Sequence, residues 1–216
     1  DIALGSVSND LQADTINDES GTNQTLENIE RTTFADGTQV AFLKSWKGRE
    51  NVLLHLTEDG KSVYIHDNIV DWKSDSNGNV YMFRWLEGEQ KDALLHWSPE
   101  TDRRLVDSHV TSWEIASSGV YYFQSQSPSD GKADVLRHWT LETDSVYIHD
   151  NVVNWQVASD GSVYMFRWKE GEQDKALLHW SSETERIVID DNVESWELTG
   201  DGVRYTTDGV KKSWSI

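Results

Sequence analysis

Residues 62–102 read SVYIHDNIVDWKSDSNGNVYMFRWLEGEQKDALLHWSPETD, and residues 145–185 repeat this stretch without a gap. Of the 41 aligned pairs, 29 are identical. A more diverged copy lies between the two and contains VTSWEIASSG, VYYFQSQS and VLRHWTLETD. The chain is therefore built from repeated units, and the length of the repeat is the strongest indicator of the fold.

The repeat keeps a regular period of 41 or 42 residues. One tryptophan and one histidine of each unit mark it; the tryptophans are Trp72, Trp113, Trp155 and Trp196, and the histidines are His55, His96, His138 and His179. Each unit holds four short runs rich in Val, Ile, Tyr, Phe and Trp, separated by turn residues, which indicates four strands. A period of about 40–45 residues with four strands is typical of a β-propeller blade.

The pattern predicts an all-β fold, a five-bladed β-propeller of four-stranded blades that forms a single domain over residues 23–216. Residues 1–22 are predicted to be a polar N-terminal segment. The last unit stops at its third strand, so residues 23–28 are predicted to supply the fourth strand and close the ring, which removes an exposed strand edge. The predicted blades are residues 29–68, 69–109, 110–151, 152–192, and 193–216 together with 23–28.

Five short, Trp-rich and self-similar units resemble β-propeller repeat proteins, and in architecture the tachylectin-2 type of invertebrate lectin. The resemblance covers about residues 23–216. The Gly-His and Trp-Asp dipeptides of the WD40 family are missing. The lectin resemblance implies sugar sites between neighbouring blades, but it assigns no binding residue.

Composition narrows the choice of partners. The 216 residues include 38 acidic and 19 basic side chains, a formal net charge of −19. Such a charge disfavours nucleic acid as a partner, since the backbone would be repelled. We expect no membrane insertion, because no apolar run approaches about 18 residues. The absence of cysteine excludes disulfides and thiolate sites. The acidic, Cys-free chain starting with Asp favours a monomeric, extracellular or cell-surface domain.

The periodic tryptophans and histidines are interpreted first as core. The tryptophans of the first and third strands lie where packed blades need large aromatic side chains. The histidines lie on the third strand, so equivalent positions of adjacent blades are too far apart to share one metal ion. Asp75-Ser76-Asn77-Gly78-Asn79 resembles part of a calcium loop but lacks its closing acids, so a hairpin turn is predicted. No metal site and no cofactor are predicted.

The candidate binding surface comes from loops that would emerge on one face of the propeller. Two near-identical loop sets follow the second strands, and two His-Asp-Asn motifs follow the fourth strands. The predicted ligand-binding residues are Arg84, Trp85, Glu87, Glu89, Gln90, Arg167, Trp168, Glu170, Glu172, Gln173, His66, Asp67, Asn68, His149, Asp150 and Asn151. Their identity in two copies indicates either a repeated function or a duplication that has not diverged. Scaffolds usually carry function on such loops.

The sequence predicts a non-catalytic binding module. No Ser-His-Asp order, zinc-ligand spacing or phosphate-binding Gly-rich loop is found. Trp85 and Trp168, flanked by arginine and carboxylates, suit stacking on a sugar. The same groups could also anchor a protein partner, so a protein-interaction or scaffold domain is the alternative. A glycosidase, which needs paired carboxylates across a cleft, is less favoured.

Overall fold

The computed structural model describes residues 14–17, 23–26, 29–86, 91–126, 133–168 and 175–215. All regular secondary structure within these ranges is β-strand. The strands are β1 (Asp14–Asn17), β2 (Asn23–Leu26), β3 (Glu30–Thr33), β4 (Gln39–Trp46), β5 (Arg49–Leu56), β6 (Ser62–His66), β7 (Ile69–Ser74), β8 (Val80–Leu86), β9 (Lys91–Trp97), β10 (Arg104–Ser108), β11 (Val110–Ala116), β12 (Gly119–Gln126), β13 (Ala133–Thr140), β14 (Asp144–His149), β15 (Val152–Val157), β16 (Val163–Arg167), β17 (Ala176–Ser181), β18 (Glu185–Asp190), β19 (Val193–Thr199), β20 (Gly202–Thr207) and β21 (Val210–Trp214).

Each repeat folds as its own antiparallel sheet, in which sequence neighbours pair. The four-stranded sheets are β3–β6, β7–β10, β11–β14 and β15–β18, and β19–β21 form a sheet that has three strands among the described residues. Val, Tyr and Phe recur in the second strands of the four-stranded sheets, and Leu, His and Trp recur in the third strands. The all-β class and the repeated sheets are therefore confirmed.

The pairing predicted for residues 23–28 is wrong for the part that the structure describes. Strand β2 pairs with β1 in a separate hairpin, with Asp14 opposite Leu26 and Asn17 opposite Asn23. Only residues 18–22 separate these strands, and a loop this short closes at low entropic cost. Residues 27 and 28 lie outside the described residues.

The chain divides into two compact units between Ser108 and His109. In the unit before this boundary, sheets β3–β6 and β7–β10 pack face to face. Their shared core consists of Phe34, Val40, Leu53 and Ile65 from the first sheet and Ile69, Val80, Met82 and Trp97 from the second. Val40, Leu53, Val80 and Met82 are fully buried, so this interface is a packed apolar layer.

The unit after the boundary repeats the same packing twice. Sheet β11–β14 contributes Tyr121, Leu136 and Ile148 against Val163, Met165, Leu178 and Trp180 of sheet β15–β18. The opposite face of β15–β18 then contributes Tyr164 and Leu177 against Val193, Val203 and Tyr205 of sheet β19–β21. We call the side of a sheet that carries the histidine of its third strand the histidine face. In this unit, each described interface joins a histidine face to the next sheet.

Candidate functional site

The periodic histidines are core residues. His55, His96, His138 and His179 are between 0% and 6% exposed. Three of them contact the third-strand tryptophan of the next sheet, with ring centroids 5.1 Å apart for His55 and Trp97, 5.3 Å for His138 and Trp180, and 5.2 Å for His179 and Trp214. Burial lowers the pKa of all four, to about 4 for His96 and His138. They are therefore neutral packing groups at pH 7.

A hydrogen-bond chain ties one of these histidines to the turn that resembles a calcium loop. His96 Nε2 donates to Asn79 Oδ1 at 2.9 Å, since Asn79 Nδ2 donates to Asp75 Oδ2 at 2.7 Å. Asp75 Oδ1 also accepts the backbone N–H groups of Asn77 and Asn79. The Asp75 carboxylate thus organises a hairpin turn, as the sequence predicts.

The periodic tryptophans also belong to the packed sheets. Trp97, Trp139 and Trp180 on the third strands are between 2% and 9% exposed. On the first strands, Trp113 is buried, while Trp72 and Trp155 are half-buried. All of these tryptophans are less exposed than Trp85 and Trp168, which have 46% and 42% of their surface exposed.

The structure brings the His-Asp-Asn motif and the Arg-Trp motif together in the first unit. Trp85 lies near the end of β8, and its backbone N–H donates to the carbonyl oxygen of Asn68 at 3.4 Å. The N–H of Asn68 donates in turn to the carbonyl oxygen of Glu50 at 2.9 Å. The turn after β6 therefore joins its own sheet to the next one. We call His66, Asp67, Asn68, Arg84 and Trp85 the Trp85 cluster.

The second unit contains an equivalent arrangement. The N–H of Trp168 donates to the carbonyl oxygen of Asn151 at 3.1 Å, and the N–H of Asn151 donates to that of Ala133 at 3.1 Å. The Trp168 cluster comprises His149, Asp150, Asn151, Arg167 and Trp168. The sequence repeat thus corresponds to a repeated geometry, in which an exposed indole follows a half-buried arginine.

The histidine of each cluster supports the turn from inside. His66 and His149 are 7% and 8% exposed, and each Nδ1 accepts the N–H of the following aspartate at 2.8 Å. The same Nδ1 lies 3.0 Å from the carbonyl oxygen of that aspartate in His66 and 2.8 Å from it in His149. Burial and the nearby arginine charges lower the pKa of both; for His66 the arginines are Arg84 and Arg103. Each histidine is neutral at pH 7 and supports the turn that follows it, and its role in ligand binding stays a prediction.

The asparagines have a backbone role. Asn68 and Asn151 adopt left-handed conformations, with φ of 57° and 54°. Asparagine tolerates this region better than most residues. His109 and Asn192 occupy the same point of the other described turns, with φ of 62° and 55°. Part of the motif's repetition therefore follows from the turn geometry alone.

Residues that the sequence analysis did not select contact the Trp85 cluster or act on it electrostatically. Arg49 Nη1 donates to Asp67 Oδ2 at 2.6 Å and to the Tyr64 hydroxyl at 3.3 Å, and its guanidinium lies 4.8 Å from the Tyr64 ring centre. Burial opposes ionisation of Asp67, but hydrogen bonds from Arg49 and Tyr64 outweigh it and lower its pKa. Arg103 helps to lower the pKa of His66, and Arg186 helps to lower that of His149. The two arginines are 83 residues apart, so the sequence repeat could have identified them.

Six of the predicted site residues lie outside the described residues. They are Glu87, Glu89, Gln90, Glu170, Glu172 and Gln173. The described part of each predicted site is therefore the strand end with its arginine and tryptophan, together with the His-Asp-Asn turn. The predicted role of the six in ligand contact stays a prediction.

Two searches of the described residues concern other kinds of site. No group of three or more His, Asp or Glu side chains there could hold a metal ion. No helix among them is long and apolar enough to cross a membrane. In comparisons with known proteins, no family model matches the chain, and no curated protein matches it significantly.

Proposed function

We propose that this protein is a non-catalytic carbohydrate-binding module whose two sites are the Trp85 and Trp168 clusters. The observation that carries the proposal is the pair of exposed indoles at equivalent strand ends, each held by a backbone hydrogen bond to a His-Asp-Asn turn. The packed tryptophans of the sheets need no function beyond the core. These two exposed ones have a large apolar surface in water, which is typical of a binding site.

The chemistry of the clusters suits a sugar. An indole stacks on the apolar face of a pyranose ring, while arginine and carboxylate groups form hydrogen bonds with its hydroxyls. The backbone that carries each indole is fixed by the hydrogen bond from its N–H to the turn, and this lowers the entropy cost of binding. Each indole is nearly half exposed, so we expect weak binding per site and a gain in avidity on a multivalent glycan.

The alternative, a protein-interaction or scaffold domain, is favoured by two exposed valines. Val70 and Val153 are 62% and 59% exposed and lie at β-bulges of β7 and β15. The residues before them, Ile69 and Val152, are paired with Arg84 and Arg167. These exposed apolar side chains add to the tryptophan and arginine of each cluster, and tryptophan and arginine are the residue types typical of protein hot spots.

For the fold as a whole, we propose that the five sheets are the blades of a β-propeller in an extracellular or cell-surface protein. Support comes from the repeat length and from the sheet packing within each unit, in which equivalent residues form successive interfaces. A closed ring is not part of this proposal, because β2 pairs with β1 and the side of sheet β19–β21 that corresponds to the histidine face is polar and exposed.

The test is a glycan array with the full chain, followed by titration of the best ligand against Trp85→Ala/Trp168→Ala. We expect a loss of about fivefold or more in the affinity of each site, since a stacked ring contributes on the order of 1 kcal/mol. The matched control is Trp85→Phe/Trp168→Phe, which keeps an aromatic face and should retain most binding. Undiminished binding by the alanine variant would exclude these sites.

Salt dependence separates the two classes of partner. Sugar binding through stacking and neutral hydroxyls should change little between low and physiological salt. The affinity for a basic protein attracted by the net charge of −19 should fall steeply over the same range of salt concentration. Absence of any glycan signal, together with salt-sensitive protein capture, would favour the scaffold function.

A further inference from the structure

The last sheet differs from the others on the side that corresponds to the histidine face. In sheet β15–β18, this face carries Tyr164, Phe166, Leu177 and His179, and Tyr164 and Leu177 are 2% and 0% exposed. The strand register places Arg204, Thr206, Lys211 and Ser213 at the equivalent positions of sheet β19–β21. Polar groups therefore replace every packing residue of this set.

The replacement matches the exposure of the surface. Arg204, Lys211 and Ser213 are exposed, and Thr206 is half-buried. At the equivalent positions, sheet β11–β14 has Tyr121, Phe123, Leu136 and His138, of which Tyr121 and Leu136 are fully buried in an interface. The face of the last sheet is therefore polar and open to solvent, whereas its equivalents in this unit form core.

This face includes a cavity of about 440 Å³. Its lining holds three cationic side chains, Arg204, Lys211 and Lys212, and one carboxylate, Glu197. Lys212 Nζ is paired with Asp190 Oδ2 at 2.8 Å. Arg204 and Lys211 are therefore the two lining cations that we expect to bind a ligand. A positive cluster in a chain of net charge −19 points to an anionic ligand.

The remaining lining residues indicate more than a simple anion. The hydroxyls of Ser195 and Thr206 lie on the same face as Arg204 and can donate to and accept from a polyol. The volume falls in the usual range for small-ligand sites, about 300–1,000 Å³, and exceeds what an inorganic anion needs. Charge and hydroxyls together are the complement of a sugar that carries a carboxylate.

We propose that the cavity on sheet β19–β21 is a binding site for an acidic sugar of the hexuronate class. Arg204 and Lys211 bind the carboxylate, and the Ser195 and Thr206 hydroxyls contact the ring hydroxyls. Arginine is suited to the first role because its planar guanidinium can form two parallel hydrogen bonds with a carboxylate. The site is separate from the Trp85 and Trp168 clusters and does not depend on their function.

The test measures binding of glucuronic acid to the full chain by NMR or calorimetry, with glucose and inorganic phosphate as comparison probes. We expect glucuronic acid to bind at least about tenfold more tightly than either probe, because only it matches both the charge and the ring contacts. Arg204→Gln/Lys211→Gln should weaken glucuronic acid binding at least about tenfold. Lys44→Gln/Lys61→Gln removes the same charge from exposed positions of the other unit and should leave binding unchanged.

A second variant changes affinity in the opposite direction. Glu197 lies opposite Arg204 in the register, so Glu197→Gln removes a like charge and should strengthen glucuronic acid binding several-fold. Trp85→Ala/Trp168→Ala should bind glucuronic acid as the wild type does, which distinguishes this site from the proposed lectin sites. Equal affinity for phosphate, or glucuronic acid binding unaffected by Arg204→Gln/Lys211→Gln, would overturn the proposal.

Discussion

Two regions of the repeat recur equally well in sequence but differ in the structure. The third-strand histidines His96 and His179 are fully buried, and they recur 83 residues apart. Trp85 and Trp168 recur at the same distance and are nearly half exposed. Repetition alone therefore does not separate a packing residue from a binding residue. Burial distinguishes the packed histidines from the exposed indoles, because a large indole left in water contributes little to folding.

Acidification should have the largest effect, and it should act on the buried region. Burial lowers the pKa of six histidines, to about 4 for His96 and His138. Between about pH 6.5 and pH 4 the unfolded chain then binds more protons than the folded one. The free energy of unfolding should be highest above about pH 6.5 and fall towards pH 4, by about 3 kcal/mol for His96 alone. Urea unfolding at several pH values measures this.

The control for the acid effect is His96→Phe, which keeps an aromatic ring but cannot be protonated. Its free energy of unfolding should depend less on pH than that of the wild type, whatever its value at pH 7. If the free energy of unfolding of the variant depended on pH as that of the wild type does, protonation of His96 on unfolding would not contribute to the acid effect.

Two glycines extend the comparison, one packed against a neighbouring strand and one in an open turn. Gly119 starts β12 with φ of 134°, and a Cβ there would lie 2.3 Å from the carbonyl oxygen of Trp139. Gly48, in the turn between β4 and β5, has φ of 76° and nothing within 4 Å of a Cβ. Gly119→Ala should cost about 3 kcal/mol or more, and Gly48→Ala about 1 kcal/mol. Thermal or urea unfolding of both variants checks the order, and equal losses would contradict it.

Alanine substitutions should show a smaller contrast. His96→Ala removes ring packing against Tyr81, 5.1 Å between centroids, and leaves Asn79 Oδ1 without its donor. We expect a loss of about 1–3 kcal/mol. Trp85→Ala removes an exposed side chain and should change stability by at most about 1 kcal/mol. A larger loss for Trp85 than for His96 in urea unfolding would reverse our assignment of roles.

The sequence was sufficient for the sheets, because apolar periodicity and turn residues act locally. The strands around Trp72 and Trp155, and the hairpin turn at Asp75, follow from those patterns. The partner of residues 23–26 could not be predicted from these local patterns, since pairing depends on which strand is nearest in the folded chain. Only five residues of sequence separate β1 from β2. The Arg49–Asp67 pair joins β5 to the turn after β6, and no repeat indicated it.

The polar face of the last sheet was also visible only after the register was known. Arg204 and Lys211 read as ordinary strand residues until they align with Tyr164 and Leu177. In sheet β15–β18, residues 168–175 separate the second strand from the third, whereas only Asp208 and Gly209 do so in sheet β19–β21. Sequence spacing alone therefore does not align the third strands.

The number of sites tests the central claim most directly. Isothermal titration with a monovalent glycan identified on the array should give two equivalent sites for the wild type, since the Trp85 and Trp168 clusters share their backbone geometry. Trp85→Ala and Trp168→Ala should each leave one site of nearly unchanged affinity, and the double variant should leave none. A single site in the wild type, or two sites that persist in the double variant, would contradict the claim.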